Sequence, residues 1–245
     1  MKLLLDLGNT RLKWALQGQS QQWLARGAVD WADVDRVLAA AWKGLPLPLS
    51  VIAASVVDEP RQLQVTAVTE RLFKLVPRWL DTPPEGCGVR NVYPEPRRLG
   101  VDRFLAMVAA HAEGHAPCVL AGVGTALTLD ALAADGRHLG GLIAPGPRMM
   151  RDALLGGTAR IGPQSDGAIV EVADNTADAV TSGCWHAAAA LVERFATHNA
   201  ARLGGAPTLL LGGGDAALLM PMLSLPAQAA PDGVLRGLAV WSSAQ

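Results

Sequence analysis

The sequence predicts an α/β protein built from two similar halves. Short apolar runs alternate with amphipathic stretches along its 245 residues, half of them hydrophobic, which suffices for a sizeable core. The segment "LLLDLGNTRLKW" (3–14) is echoed by "VLAGVGTALTLD" (119–130), each an apolar strand, a tight turn holding Gly and Thr, and a second strand-like run. Such an echo indicates duplication.

Residues 2–7 and 11–16 read as strands about the turn Gly8-Asn9-Thr10. Residues 33–43 place apolar side chains at helical spacing, "LSVIAASV" (49–56) reads as a buried strand, and 61–74 returns to a helical pattern. The prolines and glycines of "DTPPEGCGVRNVYPEPRRLG" (81–100) predict an ordered connection rather than an element. Beyond it, 103–113 reads as a helix, 117–121 and 126–132 as strands, 176–200 as a long helix and 208–211 as a buried strand. The echo divides the chain into domains 1–115 and 116–245.

Charge and cysteine content narrow the function classes. The formal net charge is −1 and the basic residues are scattered, so no electrostatic footprint marks nucleic acid or an anionic membrane. Cys87, Cys118 and Cys184 form neither a disulfide framework nor a zinc motif, and a reducing cytoplasm is the expected setting. Asp6 interrupts the apolar start, and no apolar run reaches the roughly 18 residues of a membrane span. His111 and His115 have metal-ligand spacing, but Ala112 stands where the zinc-protease pattern needs Glu. No P-loop is present, and Leu127 breaks the dinucleotide fingerprint of "GVGTAL".

A glycine in each hairpin turn lets the backbone approach a ligand, and exposed N–H groups beside a threonine hydroxyl suit a phosphate. Two such turns suggest a nucleotide clamped between two similar domains. A plain hairpin turn explains the spacing equally well.

"DLGNTRLK" (6–13) and "GTALTLD" (124–130), in that order, resemble the two phosphate motifs of the acetate-kinase, sugar-kinase, heat-shock-70 and actin superfamily. Between them, "NVYPEPRRLGVDR" (91–103) resembles the pantothenate motif of type III pantothenate kinases. "GGLIAPG" (140–146), "TARIG" (158–162), "NTADAVTSG" (175–183) and "LLLGGGDAALL" (209–219) extend the likeness over nearly the whole chain. The resemblance implies two ribonuclease-H-like domains with a nucleotide cleft between them, and ATP-dependent phosphorylation of pantothenate to 4'-phosphopantothenate, the first step of coenzyme A biosynthesis.

It also implies roles. Asp6 would hold Mg²⁺ through water, unless it caps its own hairpin; Leu7, Gly8, Asn9, Thr10, Arg11, Leu12 and Lys13, with Gly124, Thr125 and Ala126, would meet the phosphates of ATP. Asp102 would be the general base, although an Asp before "RFLAMVAAHA" also makes a good helix N-cap. Arg103 would pair with the pantothenate carboxylate, or lie on solvated surface, and Tyr93, Gly100, Val101 and Thr176 would complete the substrate contacts. Thr176 also suits a helix cap.

Where many relatives have Asp, ligand to K⁺ or NH₄⁺, this chain has Gly122, and Asp130 lies too far along the strand to replace it. The family further implies a homodimer completing the pantothenate pocket; the helix 177–196 offers Val180, Ala187, Leu191, Phe195 and a run of four alanines. A noncatalytic accessory factor on the same fold, or a kinase of another small hydroxylated substrate, is the alternative. Asp6 and Asp102 together favour the pantothenate enzyme.

Overall fold

A computed structural model describes residues 1–158 and 166–244, so the "TARIG" match lies outside the described residues except for Thr158. The chain forms two compact units, Met1–Gly114 with Asp232–Gln245, and His115–Pro231.

The first unit contains β1 (Lys2–Leu7), β2 (Arg11–Gln17), β3 (Trp23–Asp30), α1 (Val34–Trp42), β4 (Ser50–Ser55), α2 (Glu59–Phe73), β5 (Arg78–Trp79), a small hairpin β6 (Glu85–Gly86) and β7 (Val89–Arg90), and α3 (Val101–Ala112). Its sheet runs β3-β2-β1-β4-β5, antiparallel through the first three strands and parallel from β1 outward. Leu3, Leu5 and Leu7 join Leu12, Trp14 and Leu16 on one face, against Val34, Leu38, Trp42, Val65 and Val68 of α1 and α2. Leu4, on the opposite face of β1, is also fully buried. A strand covered on both faces reads as a continuous apolar run, which is why Asp6 stands out in it.

The second unit contains β8 (Cys118–Val123), β9 (Ala126–Leu132), β10 (His138–Pro145), α4 (Pro147–Gly157), α5 (Thr176–Asn199), β11 (Thr208–Gly212), α6 (Ala216–Leu219) and β12 (Ala227–Ala229). Its sheet order, β10-β9-β8-β11-β12, repeats that of the first with the same directions. Val119, Ala121, Leu127, Leu129, Leu209 and Leu211 pack against Trp185, Ala188 and Val192 of α5. Truncating one such leucine to Ala costs roughly 2–5 kcal/mol.

The last helix, α7 (Gly233–Ser243), corrects the division drawn from the sequence: residues 232–245 return to the first unit. Phe104 of α3 meets Trp241 of α7 edge-on, with ring centroids 6.1 Å apart. Gly237 permits the crossing, because a Cβ there would lie 2.1 Å from the carbonyl oxygen of Leu105. β3, β10, α4 and α7 were not anticipated from the sequence, and the connection 81–100 holds the β6–β7 hairpin.

Candidate active site

The last paired residues of the first hairpin are Leu7 and Leu12, leaving 8–11 as its turn, closed by Gly8 N–H donating to the Arg11 carbonyl at 3.1 Å. Two side chains brace this turn from outside. Trp31 Nε1 donates to the Gly8 carbonyl at 2.9 Å, and Arg61, 5.1 Å above the Trp31 ring, donates to the Asn9 carbonyl at 3.5 Å. Asn9, Thr10 and Arg11 are exposed, and Arg11 pairs with Asp30 across the strands at 2.9 Å. Leu7 and Leu12 point into the core, so their side chains cannot meet a phosphate and only their backbone remains available.

Asp6 and Lys13 are cross-strand partners, so their side chains share a face of the sheet. Protein atoms crowd the Asp6 carboxyl, and this desolvation pushes its pKa up to about 7; Lys13 opposes the rise, while Asp102 and Asp232 add to it. Asp102 lies in the first turn of α3 and Asp232 directly precedes α7. A strand end and two helix N-termini thus bring three carboxylates and one ammonium into electrostatic range.

Gly100, not Asp102, occupies the N-cap position of α3. The Asp102 Oδ1 accepts from Arg103 N–H at 2.9 Å, and a Cβ on Gly100 would come within 2.5 Å of that oxygen. Gly100 therefore makes room for the carboxylate. Val101 is buried, which again leaves only its backbone to a ligand. Arg103 is 6% exposed, so it is not solvated surface; its Nη1 donates to the Tyr93 hydroxyl at 3.3 Å. The loop around them is ordered by its own polar groups. Thr82 donates to the Leu99 carbonyl at 2.7 Å, and Asn91 accepts from Tyr93 N–H at 2.9 Å while donating to the Pro96 carbonyl at 3.1 Å.

In the second unit, Gly124 N–H donates to the Ala126 carbonyl at 3.1 Å and Thr125 is exposed. Two further glycines crowd this turn: a Cβ on Gly146 would lie 1.8 Å from the Gly124 carbonyl oxygen, and one on Gly213 would lie 2.2 Å from that of Val123. They bring the start of α4 and the residues after β11 to the end of β8, where Arg148 Nε meets Asp215 at 3.0 Å. Sequence reasoning assigned no role to either residue. The glycines of "GGLIAPG" and "LLLGGGDAALL" were the available signal.

Gly122 pairs with Thr128, in the positions that Asp6 and Lys13 hold in the first hairpin. A Cβ on Gly122 would lie 2.5 Å from Thr128 Oγ1, and Asp130 is buried against His138 Nε2 at 2.8 Å. These residues do not fit a carboxylate-ligated monovalent cation. Thr176 opens α5, but Asn175 caps it by accepting from Asp178 N–H at 3.0 Å. Thr176 instead lines an open groove of about 870 Å³ with Met150, Leu154, Gly183, Cys184 and Ala187. Leu191 and Phe195 pack onto the unit's own core and do not line that groove.

Among the described residues, no three His, Cys, Asp or Glu side chains form a closed metal cage, and no helix is long and apolar enough to cross a membrane. A divalent cation at Asp6 would draw its other ligands from water and a phosphate, as Mg²⁺ does.

The type III pantothenate kinase family profile matches residues 2–198. The type III pantothenate kinase of Aromatoleum aromaticum is 40% identical over 242 residues, covering 98% of this chain and 97% of that one. That of Xanthomonas euvesicatoria pv. vesicatoria is 44% identical over 252 residues, with the same coverage. Among solved structures, a 2-dehydro-3-deoxygalactonokinase from Sinorhizobium meliloti aligns with a TM-score of 0.64 at 14% identity, covering 100% of this chain and 99% of that one. A Baf family transcriptional activator from Campylobacter jejuni aligns at 0.62 and 18% identity, covering 99% and 98%. The structural likenesses show the fold alone, and the sequence matches show that the chain belongs to the type III pantothenate kinase family.

Proposed function

We propose that this protein phosphorylates the primary hydroxyl of pantothenate with ATP, giving 4'-phosphopantothenate and ADP at the entry to coenzyme A biosynthesis. The observation that carries the reading, within its family, is the approach of Asp6 and Asp102: a metal carboxylate and a proton acceptor, each on a different element. Phosphoryl transfer asks for positioning and charge neutralisation more than for covalent chemistry. Asp102 accepts the hydroxyl proton, and Gly100, lacking a side chain, leaves room for its carboxylate. Arg103, already held by Tyr93, offers its guanidinium to the pantothenate carboxylate.

The turn at Gly8, Asn9, Thr10 and Arg11, the Lys13 ammonium, and Gly124, Thr125 and Ala126 are assigned to the phosphates of ATP. Mg²⁺ fits Asp6, whose crowded carboxyl beside two others gains from a cation. When bound, the ion neutralises phosphate charge. No step is assigned to K⁺ or NH₄⁺. The groove beside Thr176 suits a second copy of the chain, whose docking over Gly183 and Ala187 would complete the pantothenate pocket in a cytoplasmic homodimer. The accessory-factor alternative has in its favour only a likeness that shows fold. ADP release by the purified protein with ATP and Mg²⁺, with and without pantothenate, tests the proposal; equal release in both would overturn it.

A further inference from the structure

Asp232 belongs to no motif read from the sequence, yet it reaches the phosphate hairpin from the far end of the chain. Its Oδ1 accepts from Lys13 Nζ at 3.5 Å and its Oδ2 from Arg26 Nη1 at 3.2 Å. Lys13 and Arg26 lie on one face of the β2–β3 pair, Lys13 opposite Ala28 and Arg26 opposite Ala15. Asp232 holds the N-cap position of α7 in a left-handed conformation, φ 54° and ψ 30°, and makes no side-chain cap to its own helix. An aspartate at an N-cap ordinarily accepts from the second or third N–H of the helix. Here the carboxylate serves the strands instead. A left-handed backbone at a residue other than glycine persists where its surroundings hold it, and here Lys13 and Arg26 hold the side chain.

Lys13 has two carboxylates within electrostatic range, Asp6 across the strand and Asp232 from α7. An ammonium that settled on Asp6 would neutralise the group assigned to the metal and leave the phosphates without their cation. We propose that Asp232 is a positioning residue for phosphoryl transfer, holding the Lys13 ammonium away from Asp6 so that the Asp6 carboxylate stays available to the metal. The inference rests on Lys13 being a phosphate contact, as proposed above. Arg26, 63% exposed, is the second cation on Asp232 and steadies the carboxylate from the solvent side.

A double-mutant cycle on the full-length protein tests it. Asn tolerates the left-handed region, so Asp232→Asn removes the charge without forcing the backbone. Lys13→Met should raise the KM for ATP at least about tenfold, as loss of a charge-assisted contact does. Asp232→Asn alone should raise it about fivefold with the KM for pantothenate unchanged, and the double variant should match Lys13→Met, since coupled residues do not add. A role confined to capping α7 would instead lower the melting temperature without touching the KM for ATP. That result, or effects that multiply in the double variant, would overturn the inference. A silent Lys13→Met would remove its premise along with the assignment of Lys13.

Discussion

Asp6→Asn should disable the enzyme and, at alkaline pH, stabilise it. In the unfolded chain Asp6 ionises near 3.8, and in the folded protein near 7, because its carboxyl is desolvated and faces Asp102 and Asp232 with only Lys13 in opposition. Between those values the folded state holds a proton that the unfolded state has released, so this group's contribution to stability falls as pH rises and is fully unfavourable above about 7. The difference of roughly three units corresponds to at most about 4 kcal/mol. Asp6 keeps some solvent contact, which screens its charge, so about 2 kcal/mol is the expected net effect. Asn carries no such penalty. Metal-free, nucleotide-free protein denatured in urea should show the variant equal to wild type at pH 4 and ahead of it at pH 8, by about 5 °C in a parallel thermal scan. Six of the seven tryptophans lie in the first unit, so their fluorescence follows the part of the chain that holds Asp6. A stability gain independent of pH, or a loss at pH 8, would refute the reasoning.

Asp102→Asn should lower turnover by roughly 10²–10⁴-fold while circular dichroism and melting stay near wild type; near-normal turnover would remove the general-base assignment. At fixed ionic strength, rates in Na⁺, K⁺ and NH₄⁺ should be similar, because Gly122 provides no carboxylate; steep, saturable activation by K⁺ would show another ligand set at work. Ala187→Arg should sediment near the 25.6 kDa chain mass and lose pantothenate binding while keeping some nucleotide binding, whereas wild type should sediment at about twice that mass. A fully active wild-type monomer at micromolar concentration would end the shared-pocket reading.

The two central hairpins were legible because each is an apolar run broken by a glycine turn, and α5 because a long helical stretch opens at Thr176. β3 was missed for a physical reason: it is an edge strand whose mid-point, Gly27, leaves room for the Trp14 indole, so its pattern lacks the apolar side chain that would have announced it. β10 is also an edge strand, and its two glycines and terminal proline read as loop. α7 begins with one glycine and crosses α3 at another, a requirement of tertiary packing that a helix-propensity reading counts against it. The same closure concealed Asp232. Local patterns mark Asp6 and Asp102, but nothing near residue 232 reveals that its carboxylate will lie beside Lys13.

The repeated sheet order also bears on how such a chain changes over generations. The two hairpins descend from one plan, but the first keeps Asp and Lys at a pair of positions where the second has Gly and Thr. With Thr128 Oγ1 2.5 Å from where a Cβ on Gly122 would stand, an acid at 122 requires the Thr128 hydroxyl to swing aside into another rotamer. Shrinking residue 128 first opens the way, so the order of the two steps decides whether the path is passable. Positions 122 and 128 are therefore coupled, since each sets the room that the other can use.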